Sequence, residues 1–402
     1  MHALGRGSLP RAGDLPPTGA DRFADARATT AAARASERTR GIGRGGALAL
    51  TLCLSGCGDD GAGTATATDT DTQGNGSMMR WQLAYEASDA EGAVMSAWGP
   101  EPGIAWAVGG QPRVGDQPGS GLLLRRTPSA AGPGTWSAAP LPAGTPMLNW
   151  VHGVETAGGG LRRVMVGEDG VVLRRDDLGD DADGWVREPT DVTAPLWGVF
   201  MLDVDRGYAV GGDASGEGPP VLLERDGDGW RSVPLPPLDR PSAALFKVWA
   251  SGPADVIAVG ASGVILRFDG AQWQQETWGG ARDLISLWGR SGDDVVAVGG
   301  RSNGTIVRWD GTTWTPAVEG ALPGLSGVWM APSGVAAIVG DLGLAGVLPP
   351  GSDAAALDES DAGTLLLHAT YGWADGPVVA VGGSLTRNPP YVGVIVERER
   401  PL

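Results

Sequence analysis

The chain has 402 residues, with 67 Gly, 30 Pro, 16 Trp and a formal net charge of −17. So acidic a surface repels phosphate backbones and anionic headgroups, which argues against nucleic acid as a partner and against polybasic membrane contact. The only cysteines are Cys53 and Cys57 and the only histidines His2, His152 and His368, so disulfides and thiolate metal sites are excluded beyond the N-terminal region.

The first legible segment is "RTRGIGRGGALALTLCLSGCGDD". Arg38, Arg40 and Arg44 precede an apolar run, Gly45 to Leu54, that is too short to span a bilayer as a helix. "LSGC" then ends at Cys57. The basic flank, the run and this box resemble the signal peptides of bacterial lipoproteins, although the leader before Arg38 is longer than such signals carry. The resemblance implies cleavage before Cys57 and acylation of that residue. Two or three acyl chains would anchor the protein stably in a membrane, at roughly 0.8 kcal/mol per buried methylene. It implies a place on the bacterial cell envelope, at the outer membrane or cell surface.

Residues 58–77, "GDDGAGTATATDTDTQGNGS", lack aromatic and large aliphatic side chains. They cannot bury enough to offset the entropy of ordering, so a flexible tether is expected over 57–78. The expected organisation is a leader and signal over 1–56, this tether, and one folded domain over 79–402.

That domain begins with "RWQLAYEA" (80–87) and then repeats itself at intervals of about 40 to 54 residues, a period that marks solenoids and propellers. Each copy opens with a short apolar run ending in a ring: Trp98, His152, Phe200, Trp249, Trp288, Trp329 and Tyr371. A "VxAVG" run follows, then a third strand such as "GVILRFDG", then a fourth that starts with Trp. Those Trp are 136, 185, 230, 273 and 314. Asp-Gly pairs between the third and fourth strands are strong hairpin signals, because Gly tolerates positive φ. Copy six lacks the Trp and copy seven lacks the fourth strand, while an unassigned strand with Trp81 stands ahead of copy one. Closure of a ring by that N-terminal strand accounts for both and leaves no open edge.

The fold class expected is thus all-β, a seven-bladed propeller preceded by a tether. "SGPADVIAVGASGVILRFDGAQW", Ser251 to Trp273, resembles the kelch repeat and the degenerate propeller repeats of secreted bacterial proteins. The fourth-strand Trp are expected to pack between blades, where 150–250 Å² of burial is worth at most roughly 4–6 kcal/mol each.

The resemblance is specific for fold and nearly silent on activity. No Cys remains in the domain for the crosslinked copper site of the galactose oxidase relatives, and neither metal nor other cofactor is expected. "RWDGTTW" (308–314) matches only half of a sialidase Asp box. "GDDADGW" (179–185) lacks the full oxygen spacing of a calcium loop. No catalytic residue is assigned. Three turns between second and third strands are long: 109–121, 211–220 and 382–393. Ring closure places the first and last on adjacent blades, so Arg113, Asp116, Arg387, Asn388 and Tyr391 form the candidate binding rim. The expected function is a monomeric, lipid-anchored, non-catalytic propeller that binds an envelope protein or polysaccharide. Two alternatives stand beside it: a carbohydrate-active enzyme and a structural subunit of an envelope assembly.

Overall fold

The computed structural model describes residues 79–402 except 130–132, 216–217, 228, 386–390 and 399; Cys57, the leader and the proposed tether lie outside these residues. The recurrent apolar runs are β-strands grouped in seven sheets. Blades 1 to 6 span 93–139, 148–188, 196–232, 245–276, 284–319 and 325–357, each an antiparallel four-stranded meander. Blade 7 draws three strands from 366–398 and its fourth from Arg80–Glu86. That strand pairs antiparallel with Gly393–Arg398, Gln82 opposite Glu397 and Glu86 opposite Val394. A two-residue strand, Glu359–Ser360, lies parallel on its outer side. The first strands adjoin one another in a closed circle, blade 7 meeting blade 1. The fold is a seven-bladed β-propeller closed by the N-terminal strand.

The core lies between blades rather than within one layer. Between blades 4 and 5, Trp249, Ile257, Val259 and Ile265 pack on Leu287, Val295, Ala297 and Val307. Second strands such as Val256–Gly260 and Val295–Gly299 are covered on both faces, which is why they read as unbroken apolar runs instead of alternating ones. The Gly that ends each such run has a steric cause. A Cβ on Gly260 or Gly299 would collide with the carbonyl oxygen of Ala244 or Asp283, the residue just before the blade's first strand. The Asp-Gly hairpins are equally explicit: Asp269 accepts from the N–H groups of Ala271 and Gln272, and Asp310 from those of Thr312 and Thr313.

Fourth-strand tryptophans join neighbouring blades through their indole N–H. Trp136 of blade 1 donates to Glu397 of blade 7 (3.1 Å), Trp230 of blade 3 to Glu188 of blade 2 (2.7 Å), Trp314 of blade 5 to Glu276 of blade 4 (2.6 Å) and Trp81 of blade 7 to Asp358 of blade 6 (3.1 Å). Glu397 also takes both nitrogens of a bidentate contact with Arg126 at 2.8 Å, and the N–H of Gly134. This ion pair is buried on both sides, so breaking one partner is far more costly than the pair is worth in isolation. Blades 2 and 4 do without the latch. Trp185 packs instead under the guanidinium of Arg163, which stands between Trp185 and Trp106. Trp273 is only half-buried and meets Tyr208 edge-on at 5.6 Å. Blade 6 ends in a two-residue fourth strand, Ala356–Leu357, both exposed.

The turns between second and third strands fall into two sorts. In blades 2, 4 and 6 they are tight, with two successive positive φ values: Asp169–Gly170, Ser262–Gly263 and Leu342–Gly343. In blades 1, 3, 5 and 7 they are longer.

Candidate functional site: the cavity at the mouth of the ring

Every first strand carries an irregularity at one shared place, and three of them carry a second near the far end. The pairing with the second strand slips by one residue at Met95, Asn149, Trp197, Phe246, Ile285, Ser326 and His368. Each is the bulge residue, three positions before the ring-bearing residue of its strand. A bulge leaves its residue out of the ladder and re-aims the side chain. Here all seven side chains line one cavity of about 450 Å³. On an unbulged strand, residues three apart point to opposite faces; the slip resets that parity.

The wall is divided by chemistry. Trp197, Phe246 and Ile285, from blades 3, 4 and 5, make an apolar arc, while Ser326, His368 and Asn149 bring polar atoms from blades 6, 7 and 2. Two of these polar atoms, Asn149 Oδ1 and His368 Nε2, are buried and have no hydrogen-bond partner among the described residues. Burial pushes the imidazole of His368 down to about 4. The residue after each bulge is small in five blades: Ser96, Gly198, Ser286, Gly327 and Ala369. The exceptions are Trp150 and Lys247, both in the cavity wall. They meet across blade 3, where a Cβ on Gly198 would lie 3.3 Å from Lys247 Cα. Lys247 Nζ sits over the face of the Trp150 ring, 2.6 Å from its centroid. Burial alone moves this amine well below the ordinary lysine range.

The turns between second and third strands frame the mouth. Ala214, Arg301, Asp341 and Leu385 reach the cavity from blades 3, 5, 6 and 7. Arg301 is held by Asp283 at 2.6 Å and lies over the ring of Phe246 at 5.6 Å. Burial raises the carboxyl of Asp341 above its ordinary value. Beside Asp341, Leu342 is 68 % exposed although its φ of +59° is unfavourable for a branched side chain.

Below the bulges, the seven rings form a collar around the axis. Trp98 and His152 are 5.6 Å apart, His152 stacks on Phe200 at 4.4 Å, and Trp288 meets Tyr371 edge-on at 6.0 Å across blade 6. His152 is buried, and its Nδ1 accepts the N–H of Met201 at 3.1 Å. Burial pushes its imidazole down to about 3.

The residues expected to form the rim are placed differently. The loops of blades 1 and 7 meet through Gln111, whose side chain donates to the carbonyl of Tyr391 (3.0 Å) and accepts its N–H (3.3 Å). Arg113 turns the other way and pairs with Asp169 of blade 2 at 2.9 Å. Asp116 is exposed and Tyr391 half-buried, and neither lines the cavity, nor does Arg113. Arg387 and Asn388 lie outside the described residues. Sequence reasoning missed the bulge residues. Their signal is the one position at which no two of the runs share a letter, the second of "VMSAW", "LNWVH", "LWGVF", "LFKVW", "LISLW", "LSGVW" and "LHATY".

No family model matches the chain, and neither does any curated protein. Among solved structures it is similar to the WD40 β-propeller domain of Doa1, with a TM-score of 0.57 at 10% identity, covering 79% of this chain and 97% of that one. The C-terminal WD40 domain of Sif2 gives a TM-score of 0.49 at 10% identity over 79% and 98% of the two chains. YCF48 bound to D1 peptide gives 0.44 at 18% identity over 60% and 88%. At such identities the likeness to the Doa1 domain speaks for the propeller fold alone.

Proposed function

We propose that the chain is a non-catalytic binding protein of the bacterial envelope, anchored through an acylated Cys57 and built on a propeller of the kelch-like bacterial type. Its ligand places an apolar group in the mouth cavity. The observation that carries this reading is the set of seven bulges, which turn one side chain from every blade into a single concave wall. An apolar cavity with a few converging polar groups is the usual form of a binding site. Asp341 is the one carboxylate among the described residues of the wall, whereas glycoside hydrolysis uses two. That favours binding over the carbohydrate-active alternative. The sequence features around Cys57 support the anchor.

The test is affinity capture from solubilised envelope proteins and polysaccharide, comparing the wild-type chain with Trp197→Ala/Ile285→Ala. A retained species that the double variant releases establishes the cavity as the recognition site. Equal retention by both moves recognition elsewhere on the surface. Globomycin-sensitive processing of the full chain, read as a mass shift at Cys57, tests the anchor.

A further inference from the structure

Lys247 is the only lysine of the chain, and its place is unusual. It lies on the innermost strand of blade 4, 7 % exposed, in the wall of the mouth cavity. Its amine rests on Trp150, and no carboxylate among the described residues pairs with it. Around it the wall is made of Trp150, Trp197, Phe246 and Ile285, and the charged or titratable groups that share the cavity are Arg301, Asp341 and His368. Asp341 belongs to blade 6, two blades away.

We propose that Lys247 is a nucleophilic amine that captures an apolar aldehyde or ketone in this cavity as a reversible imine. The inference rests on the binding reading given above and names the chemical class of its ligand. Lysines desolvated in apolar pockets are the ones used for carbonyl capture, because a neutral amine keeps its lone pair for attack. The depression of the Lys247 amine by burial agrees with this. In the first step the Nζ lone pair forms a bond to the carbonyl carbon, the C=O π pair moves to oxygen, and an amine proton follows it to give a carbinolamine. In the second the nitrogen lone pair forms C=N, the hydroxyl departs with a proton as water, and the remaining N–H proton is released. No oxidant or reductant is consumed, and water reverses the reaction. The apolar arc would hold the alkyl body of the ligand while the amine holds its head.

A single lysine makes the test clean. The unprocessed 402-residue chain is treated at pH 7 with hexanal and cyanoborohydride, which reduces an imine to a stable hexylamine, and adducts are mapped by mass spectrometry. The α-amine of Met1 is the internal reference. An ordinary lysine holds a neutral fraction at pH 7 about a hundredfold or more below that of an α-amine. In urea, therefore, Met1 should be labelled about a hundredfold ahead of Lys247. In the folded chain Lys247 should be labelled at least as fast as Met1, and Lys247→Met should lose that adduct. A folded-state rate for Lys247 no higher than its rate in urea overturns the proposal. So does shielding of a slow amine by hexanoate, which would mark a cationic lysine awaiting a carboxylate. Saturation-transfer NMR with 1-hexanol, which has the same alkyl body but no carbonyl, separates the two readings. Hexanol signals that vanish in Trp197→Ala/Ile285→Ala, together with no hexanal adduct, would leave the cavity as a binding site and remove the imine. Absence of both would remove both.

Discussion

The two ends of the inner strands obey different rules. At the collar every blade supplies a ring in the same position: four Trp, one Phe, one Tyr and one His. Three residues earlier, at the mouth, no two blades supply the same side chain. The collar is a packing problem that each blade solves alike, because each ring must fill the same wedge beside its neighbour. Trp98, Trp249 and Trp329 press so closely on Gly153, Gly289 and Gly372 of the next blade that a Cβ there would lie 2.6 Å from the indole. The mouth is free of that demand. A bulge residue is outside the ladder and faces a cavity, so its identity is open to selection for what enters. In a repeat protein, uniform positions report the scaffold and variable ones at a uniform place report the site.

That contrast can be attacked first where uniformity is strongest. Trp314 is buried and latched to Glu276, and Trp314→Ala should cost about 3–5 kcal/mol in denaturant unfolding. Trp273, half-buried and without the latch, should cost about 1–2 kcal/mol on the same change. Equal losses would show that the repeat position, not burial and latch, sets the energy.

Next in size is the one imidazole of the collar. Its folded-state value, about 3, lies below the ordinary 6.5. Between those values the unfolded chain binds the extra proton, so stability is full above about pH 6.5 and falls as the pH drops towards 3. The loss by pH 4 should be roughly 3 kcal/mol from this residue. His152→Phe, which gives blade 2 the ring of blade 3, should remove about half of the histidine-linked fall between pH 6.5 and 4, because His368, pushed down to about 4, supplies nearly as much; its neutral-pH cost should be about 1 kcal/mol for the orphaned Met201 N–H. An unaltered slope would place the titration elsewhere.

Smaller still is the strain at the mouth. Leu342→Gly should stabilise the fold by about 0.5–1 kcal/mol, because φ of +59° costs Leu what it does not cost Gly. A loss of stability would mean that the exposed side chain is held by contacts. Least of all should stability respond at the bulges. Ser326→Ala and Ile285→Ala should stay within about 1 kcal/mol of wild type while weakening ligand capture. Large losses there would erase the distinction between the two ends.

Much of the scaffold was readable because its causes are local and repeated. The apolar runs, the Asp-Gly hairpins and the missing fourth strand of copy seven led directly to the ring and its closure. The latch acids were harder. Glu188 and Glu276 each stand three residues after their own blade's Trp, a visible W-x-x-E, but they bind the Trp of the next blade. Glu397 and Asp358 follow no such spacing. The cavity was not foreseen because a bulge cannot be seen in a strand pattern that lacks its partner. Loop length drew attention to the rim instead, where Arg113 proved to be occupied by Asp169.

The tight turns of blades 2, 4 and 6 and the indole latches of blades 1, 3, 5 and 7 give the molecule a two-blade rhythm. A two-beat pattern cannot run unbroken round a circle of seven, so like must meet like once. The fault lies between blades 7 and 1, both latched and both long-looped. There the accepting acid comes from a third strand, Glu397 on Gly393–Arg398, and its arginine fork is the shorter of two, with both contacts at 2.8 Å against 3.4 and 3.2 Å from Arg225 to Glu188. The parity defect coincides with the blade in which the domain's first and last strands are paired. The molecule has placed the most deeply buried of its four latch acids where its rhythm fails and its ends are joined.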